Sequence, residues 1–121
     1  LCCFIIGNVT LKNLVARPRP CWVNTDITLL IRNPKDYSFP SGHSMVGFAG
    51  ALSVWYANKK WGIAALVLAA VIAFSRMYLF VHYPTDVLLG TLIGLAVTFL
   101  VHKAGEIYLR KKNEVSSNEN V

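Results

Sequence analysis

The chain has 121 residues, 55% of them hydrophobic and 15% charged, with a formal net charge of +6. That balance excludes a disordered tail, and because Lys and Arg nowhere alternate with polar residues along a basic helix face it gives no footing for a nucleic-acid partner. The length fits one domain, and a mean hydropathy of +0.47 leaves a very apolar soluble bundle or a membrane protein.

Four apolar stretches follow in chain order: residues 1–11, 44–57, 61–75 with a continuation to Tyr83 beyond Arg76, and 87–101. None carries the polar stripe of a helix on the surface of a soluble bundle, and helices apolar all round want lipid or a core larger than this chain can build. The first stretch has no basic region before it, so it does not read as a signal peptide. It reads as the end of a truncated transmembrane helix (1–11) in the C-terminal part of a longer protein. Cys2, Cys3 and Cys21 cannot close a disulfide set and read as small apolar fillers.

The uncharged runs are short for a clean span of roughly 18 to 20 residues, and each is extended at the same end by unusual polar residues. Pro40, Ser41, Gly42 and His43 precede the second, Arg76 lies within the third, and His82 and Asp86 precede the fourth. Ionisable groups at membrane depth normally line a cavity and work there. Antiparallel spans place Lys59, Lys60, Lys103, Arg110, Lys111 and Lys112 on one side, against Lys12, Arg17, Arg19, Arg32, Lys35 and Arg76 on the other. If Lys12, Arg19 and Arg76 are tied up in a site, the free cations stand six to three, and the positive-inside rule puts the C-terminus in the cytoplasm and the site outside. The last nine residues, 113–121, are polar and aperiodic and read as a disordered tail.

Three clusters share the outward end: Lys12-x6-Arg19-Pro20, Pro40-Ser41-Gly42-His43 and Ser75-Arg76-x5-His82-x3-Asp86. As chemistry they are a recipe for handling a phosphate. Lys12, Arg19 and Arg76 offer positive charge and forked donors to phosphoryl oxygens. Ser41 and Gly42 open an apolar helix whose first-turn N–H groups can receive an anion, and Gly42 lets that anion come close. One neutral histidine can attack phosphorus while a protonated one donates to the leaving oxygen. Asp86, four residues after His82, can accept from Nδ1–H and so leave Nε2 to attack. Pro84 lies between them, so the contact is expected across a turn, with Thr85 or Asp86 starting the next helix.

No metal or other cofactor is called for: Asp26, Asp36 and Asp86 are too few and scattered for a Mg2+ cage, and three nearby cations would repel a zinc held by His43, His82 and Asp86.

The three clusters together resemble the motifs of the type 2 phosphatidic acid phosphatase (PAP2) superfamily, K-x6-R-P, P-S-G-H and S-R-x5-H-x3-D, each fixed position being matched over residues 12–101. The resemblance implies an all-α, integral-membrane helical bundle of the PAP2/haloperoxidase type, here with three complete spans (about 44–57, 61–80 and 86–102) plus the end of a fourth. The phosphatase domain would cover 12–103 and a polar cytoplasmic tail 104–121. It implies His82 as nucleophile, Asp86 as its orienting partner and His43 as general acid, with Lys12, Arg19, Ser41, Gly42, His43 and Arg76 holding the phosphate. The implied activity is metal-independent hydrolysis of a membrane lipid phosphate or diphosphate through a phosphohistidine. Undecaprenyl diphosphate in a bacterial plasma membrane comes first, then phosphatidate or phosphatidylglycerol phosphate. A vanadium haloperoxidase shares the motifs, but those enzymes are soluble; a non-catalytic lipid-binding membrane protein is the rival from another class.

Outside the motifs, His102 reads as interfacial, and Trp55, Tyr56 and Trp61 as an aromatic belt. Arg17 and Arg32 could assist with an anionic substrate but read first as solvated loop charges, so that replacing Arg17 is expected to change little. Gly90 and Gly94 permit close helix packing, with dimerisation as one use. The oligomeric state is left open.

Overall fold

The computed structural model describes residues 2–119, with side chains as far as Ser116, and contains helices and no strand among them. Three helical segments, Cys2–Phe4, the π-wound Ile5–Leu11 and Lys12–Val15, run on through helical junction residues as one element, α1 (residues 2–15). It stops at Ala16, which takes the left-handed conformation (φ 46°) and donates its N–H to Lys12 O. A short helix α2 (Pro20–Val23) follows, opened by a proline in its first turn, where no N–H is needed. An irregular segment then leads to α3 (Gly42–Ala57), α4 (Lys59–Tyr78) and α5 (Pro84–Glu119).

The loops are tight because single residues serve two helices. Asn58 donates its N–H to Val54 O to close α3, and its side chain accepts from Lys60 N and Trp61 N to open α4. At the other end of α4, Phe80 turns the chain in the left-handed region (φ 58°) and sends Val81 and His82 back into the protein. Helix α5 starts at Pro84, slightly ahead of the expected Thr85 or Asp86, because proline is already set for the first helical position. Two reversals set α4 antiparallel to both α3 and α5, which run in the same direction. The start of α3, the end of α4 and the start of α5 therefore share one end of the molecule, and all three sequence clusters lie there.

Helix α3 is central and packs along both α4 and α5, which scarcely touch each other. Close approach is bought with small residues: Gly47 faces Ala69 on α4, while Gly90 and Gly94 on α5 face the backbone of Ser41 and Met45. Gly90 and Gly94 thus act within the chain. Met45, Ala51, Ala69 and Ala73 are buried, while Val67, Leu68, Val71, Phe74, Leu92 and Leu100 point outward. A soluble bundle would bury the large side chains and expose the small; the reverse is the pattern of helices packed in lipid.

Helices α4 and α5 (as far as Ser116) are long and apolar enough to cross a membrane. Helix α3, with 16 residues, spans only about 24 Å at 1.5 Å per residue, short of the roughly 30 Å hydrocarbon core. Its length is cut at the Gly42 end, where the polar cluster begins. At the opposite end Tyr56 stacks on His102, ring centroids 3.7 Å apart, and Trp61 is exposed.

The irregular tail expected from residue 113 is corrected: α5 continues helically to Glu119, and residues 120–121 lie outside the described part. No Gly or Pro interrupts residues 106–119, and ion pairs at helical spacing support the exposed turns, Lys103–Glu106 at 3.0 Å and Arg110–Glu114 at 3.1 Å.

The packing makes a contrast between glycines measurable. A Cβ on Gly94 would press into the Met45 backbone, 3.1 Å from its Cα, whereas one on Gly50 meets nothing within 4 Å. Gly94→Ala should therefore destabilise the protein by about 1–3 kcal/mol through overpacking, and Gly50→Ala should be neutral or stabilising by up to about 1 kcal/mol through helix propensity. Thermal unfolding of both variants in detergent checks the sign of each.

Candidate active site

Lys12, Arg19, Gly42, His43, Arg76 and His82 line one cavity of about 430 Å³, together with Asn8, Asp36 and apolar side chains that include Val46, Ile72 and Val81. Six of the eight sequence-predicted residues thus meet in one space. The other two, Ser41 and Asp86, are fully buried and not part of that lining. Ser41 caps α3, its hydroxyl accepting from Ser44 N at 3.4 Å and from Ser44 Oγ at 2.9 Å. The first two residues of α3, Gly42 and His43, line the cavity.

Arg19 is the most heavily engaged cation and only 3% exposed. Its Nε donates to Asp36 O at 2.7 Å, Nη2 to Asp36 Oδ1 at 2.8 Å and Nη1 to Val81 O at 2.8 Å. Nη1 also lies 3.2 Å from His82 Nε2. Lys12 Nζ donates to the other oxygen of the same carboxylate, Asp36 Oδ2. Partial burial pushes the Asp36 carboxyl up, but the Lys12 hydrogen bond and charge, with those of Arg19, outweigh it and hold the group at about 2. Asp36 was assigned no role from the sequence, yet it lies across two of the three proposed phosphate-binding cations. Among the described residues Arg76 meets no carboxylate, its guanidinium touching Ser75 Oγ at 3.3 Å.

His82 is 5% exposed, and burial, with the charges of Arg19 and Lys12, pulls its imidazole below the ordinary value against the opposing pull of Asp86. The neutral ring is therefore favoured. Because an arginine N–H can only donate, the Nε2 facing Arg19 carries the lone pair and the ring proton sits on Nδ1.

The expected partner of that proton, Asp86, is close across the turn, but at 3.7 Å from Nδ1 to Oδ2 it is beyond hydrogen-bond range. Its oxygens are taken by other donors. Oδ2 accepts from Tyr83 N at 2.9 Å, the return half of a capping box on α5, and from Ser38 Oγ. Oδ1 accepts from Arg17 Nη1 at 2.8 Å. Arg17 is anchored further by Thr85 Oγ1 at 2.7 Å and by the Tyr83 ring, whose centroid is 4.0 Å from the guanidinium carbon.

The reading of Arg17 as a solvated loop charge is thereby corrected. A buried carboxylate without a charged partner is costly, and the turn at Ala16 brings Arg17 over Asp86. Ser38 was also missed. The only sequence signal for either was proximity to a motif, Arg17 lying inside the first and Ser38 two residues before the second.

The profile of the PAP2 superfamily matches residues 1–107. The chain belongs to the PAP2 superfamily. An undecaprenyl-diphosphatase from Sulfolobus acidocaldarius is 36% identical over 97 residues, which cover 79% of this chain and 47% of that protein. A decaprenylphosphoryl-5-phosphoribose phosphatase from Mycobacterium tuberculosis is 37% identical over 98 residues, covering 80% of this chain and 52% of the relative. The crystal structure of a transmembrane PAP2-type phosphatidylglycerolphosphate phosphatase from Bacillus subtilis superposes with a TM-score of 0.65 at 36% identity, covering 82% of this chain and 52% of that one. This PAP2 chain spans about half the length of the curated relatives it matches. Its fold is the all-helical membrane bundle of that superfamily.

Because the folded pKa of Asp36 lies below its ordinary value, its ion pairs stabilise the fold above the ordinary aspartate range, and that contribution is lost as pH falls through about 2. Asp36→Asn should lower the unfolding temperature at neutral pH, the gap to the parent closing as the pH is taken down to about 2. Melts of the two proteins along a pH series measure it.

Proposed function

We propose that this chain carries the catalytic site of a metal-independent membrane phosphatase that hydrolyses a lipid phosphate or diphosphate through a phosphohistidine. The observation that carries the reading is the convergence of Lys12, Arg19, Arg76 and two histidines on a single cavity at the amino end of α3. The phosphoryl oxygens take the three cations and the first-turn amides at Gly42. They compete with Asp36 for Lys12 and Arg19, and draw Arg19 Nη1 away from His82 Nε2. That nitrogen attacks phosphorus: a P–N bond forms while the P–O bond to the leaving group breaks, and protonated His43 gives its proton to the departing oxygen. His43, now neutral, takes a proton from water, which attacks the phosphohistidine and releases phosphate.

Lipid substrates are favoured because the bundle presents large apolar side chains outward and the cavity wall mixes cations with Val46 and Ile72. Undecaprenyl diphosphate is our first choice, with phosphatidate and phosphatidylglycerol phosphate next. The similar proteins act, by name, on different headgroups, so the family alone does not fix the substrate. Engagement of Arg17 by Asp86 strengthens the orientation reading: with Lys12, Arg17, Arg19 and Arg76 committed to the site, only Arg32 and Lys35 remain on that side against six cations on the other. The site then faces outward and the carboxyl end of α5 lies in the cytoplasm, in a bacterial plasma membrane.

Phosphate release by the full-length protein in detergent, across a panel of lipid phosphates, tests the proposal. His82→Ala should abolish turnover, vanadate should inhibit, and EDTA should not; sustained turnover by the His82 variant would sink the reading. The pH profile of kcat/KM should be bell-shaped. Its acidic limb, set by protonation of buried His82, should fall below the ordinary imidazole range, and its alkaline limb should mark loss of the His43 proton.

A further inference from the structure

We propose that Ser38 and Arg17 are positioning residues that hold His82 through the Asp86 carboxylate, Ser38 bridging the imidazole to one oxygen and Arg17 fixing the other. This rests on the reading of His82 as nucleophile. A direct hydrogen bond between the two is not made, since Nδ1 and Oδ2 are 3.7 Å apart. Ser38 Oγ is the nearer group, 3.5 Å from His82 Nδ1, and is itself hydrogen-bonded to Asp86 Oδ2. Ser38 and Asp86 are both 0% exposed, so water does not substitute for the hydroxyl.

Donor roles are fixed along the chain of atoms. Arg19 faces Nε2 and can only donate, so Nδ1 bears the hydrogen and points it at Ser38 Oγ. The serine O–H in turn is the donor to Asp86, because a carboxylate can only accept. As the P–N bond forms at Nε2, the ring becomes a cation. Nδ1–H then strengthens its bond to the serine oxygen, the serine to the carboxylate, and no proton leaves the ring.

Arg17 acts on the far side. Its Nη1 holds Oδ1 at 2.8 Å while Thr85 Oγ1 and the Tyr83 ring hold the guanidinium. Without it Oδ1 is buried and unpaired, and the carboxylate is free to rotate off Ser38.

The test uses the full-length protein in detergent with the lipid phosphate that it turns over best. Ser38→Ala should lower kcat about ten- to a hundredfold, the size of one hydrogen bond to a charged group, while KM and the Kd for inorganic phosphate stay unchanged. Ser38→Thr, which keeps the hydroxyl, should recover most of the loss. Arg17→Ala should act in the same direction, with partial recovery in Arg17→Lys. Arg32→Ala, on the exposed loop, serves as the unaffected reference.

In an Asp86→Asn background, Ser38→Ala and Arg17→Ala should cost little more, since all three act as a unit. Wild-type kcat in either alanine variant overturns the proposal. So does an undiminished loss in the Asp86→Asn background, which would mark a general structural defect. A dead His82→Ala beside a fully active Ser38→Ala removes this proposal alone, whereas an active His82→Ala removes the nucleophile reading beneath it.

Discussion

A carboxylate with no access to water must have all its lone pairs answered from within the protein, and Asp86 is such a group. Its Oδ1 is answered by Arg17 from the first motif, its Oδ2 by Ser38 from the irregular segment and by Tyr83 N, and its backbone carbonyl by Ser41 N at the start of α3. Three chain segments separated by tens of residues are thereby tied to one point. The tie also sets the register of α5 on α3, with Gly90 one turn further along against the Ser41 backbone.

Around that point the charges divide into two carboxylate-centred groups. Asp86 gathers Arg17, Ser38 and the backbone at Tyr83; Asp36 gathers Lys12 and Arg19. Arg19 joins them, since one of its nitrogens reaches His82 while another reaches Asp36. The half-exposed Asp36 is the exchangeable member, for a phosphoryl group presents the same kind of oxygen to the same donors. Buried Asp86 is the fixed one. In the proposed reaction, a site built this way keeps His82 oriented while Lys12 and Arg19 change partners.

Short helix α3 belongs to the same design. Its amino end meets the polar cavity, and its 16 residues are fewer than the membrane-length α4 and α5 carry. Small residues let α4 and α5 each approach α3 closely, and the bulky aliphatic side chains are left to face outward.

Much of this was written in the sequence. Composition and unstriped apolar runs fix a helical membrane bundle, since such surfaces have nowhere to go but lipid; the short loops at Asn58 and at 79–83 reverse the chain twice, which brings the motifs to one end. The types and spacing of Lys12, Arg19, His43, Arg76, His82 and Asp86 then point to the proposed phosphate chemistry. Only the tertiary structure decided who pairs with whom. Arg17, Asp36 and Ser38 look in the sequence like solvated or linker residues, because nothing local distinguishes a charge facing water from one facing a buried carboxylate 69 residues away. The polar composition of residues 113–119 likewise concealed a helix, which the breaker-free run and its ion pairs sustain beyond the apolar span. Periodicity reports which face is apolar; the partner of a buried charge is fixed by the folded chain as a whole.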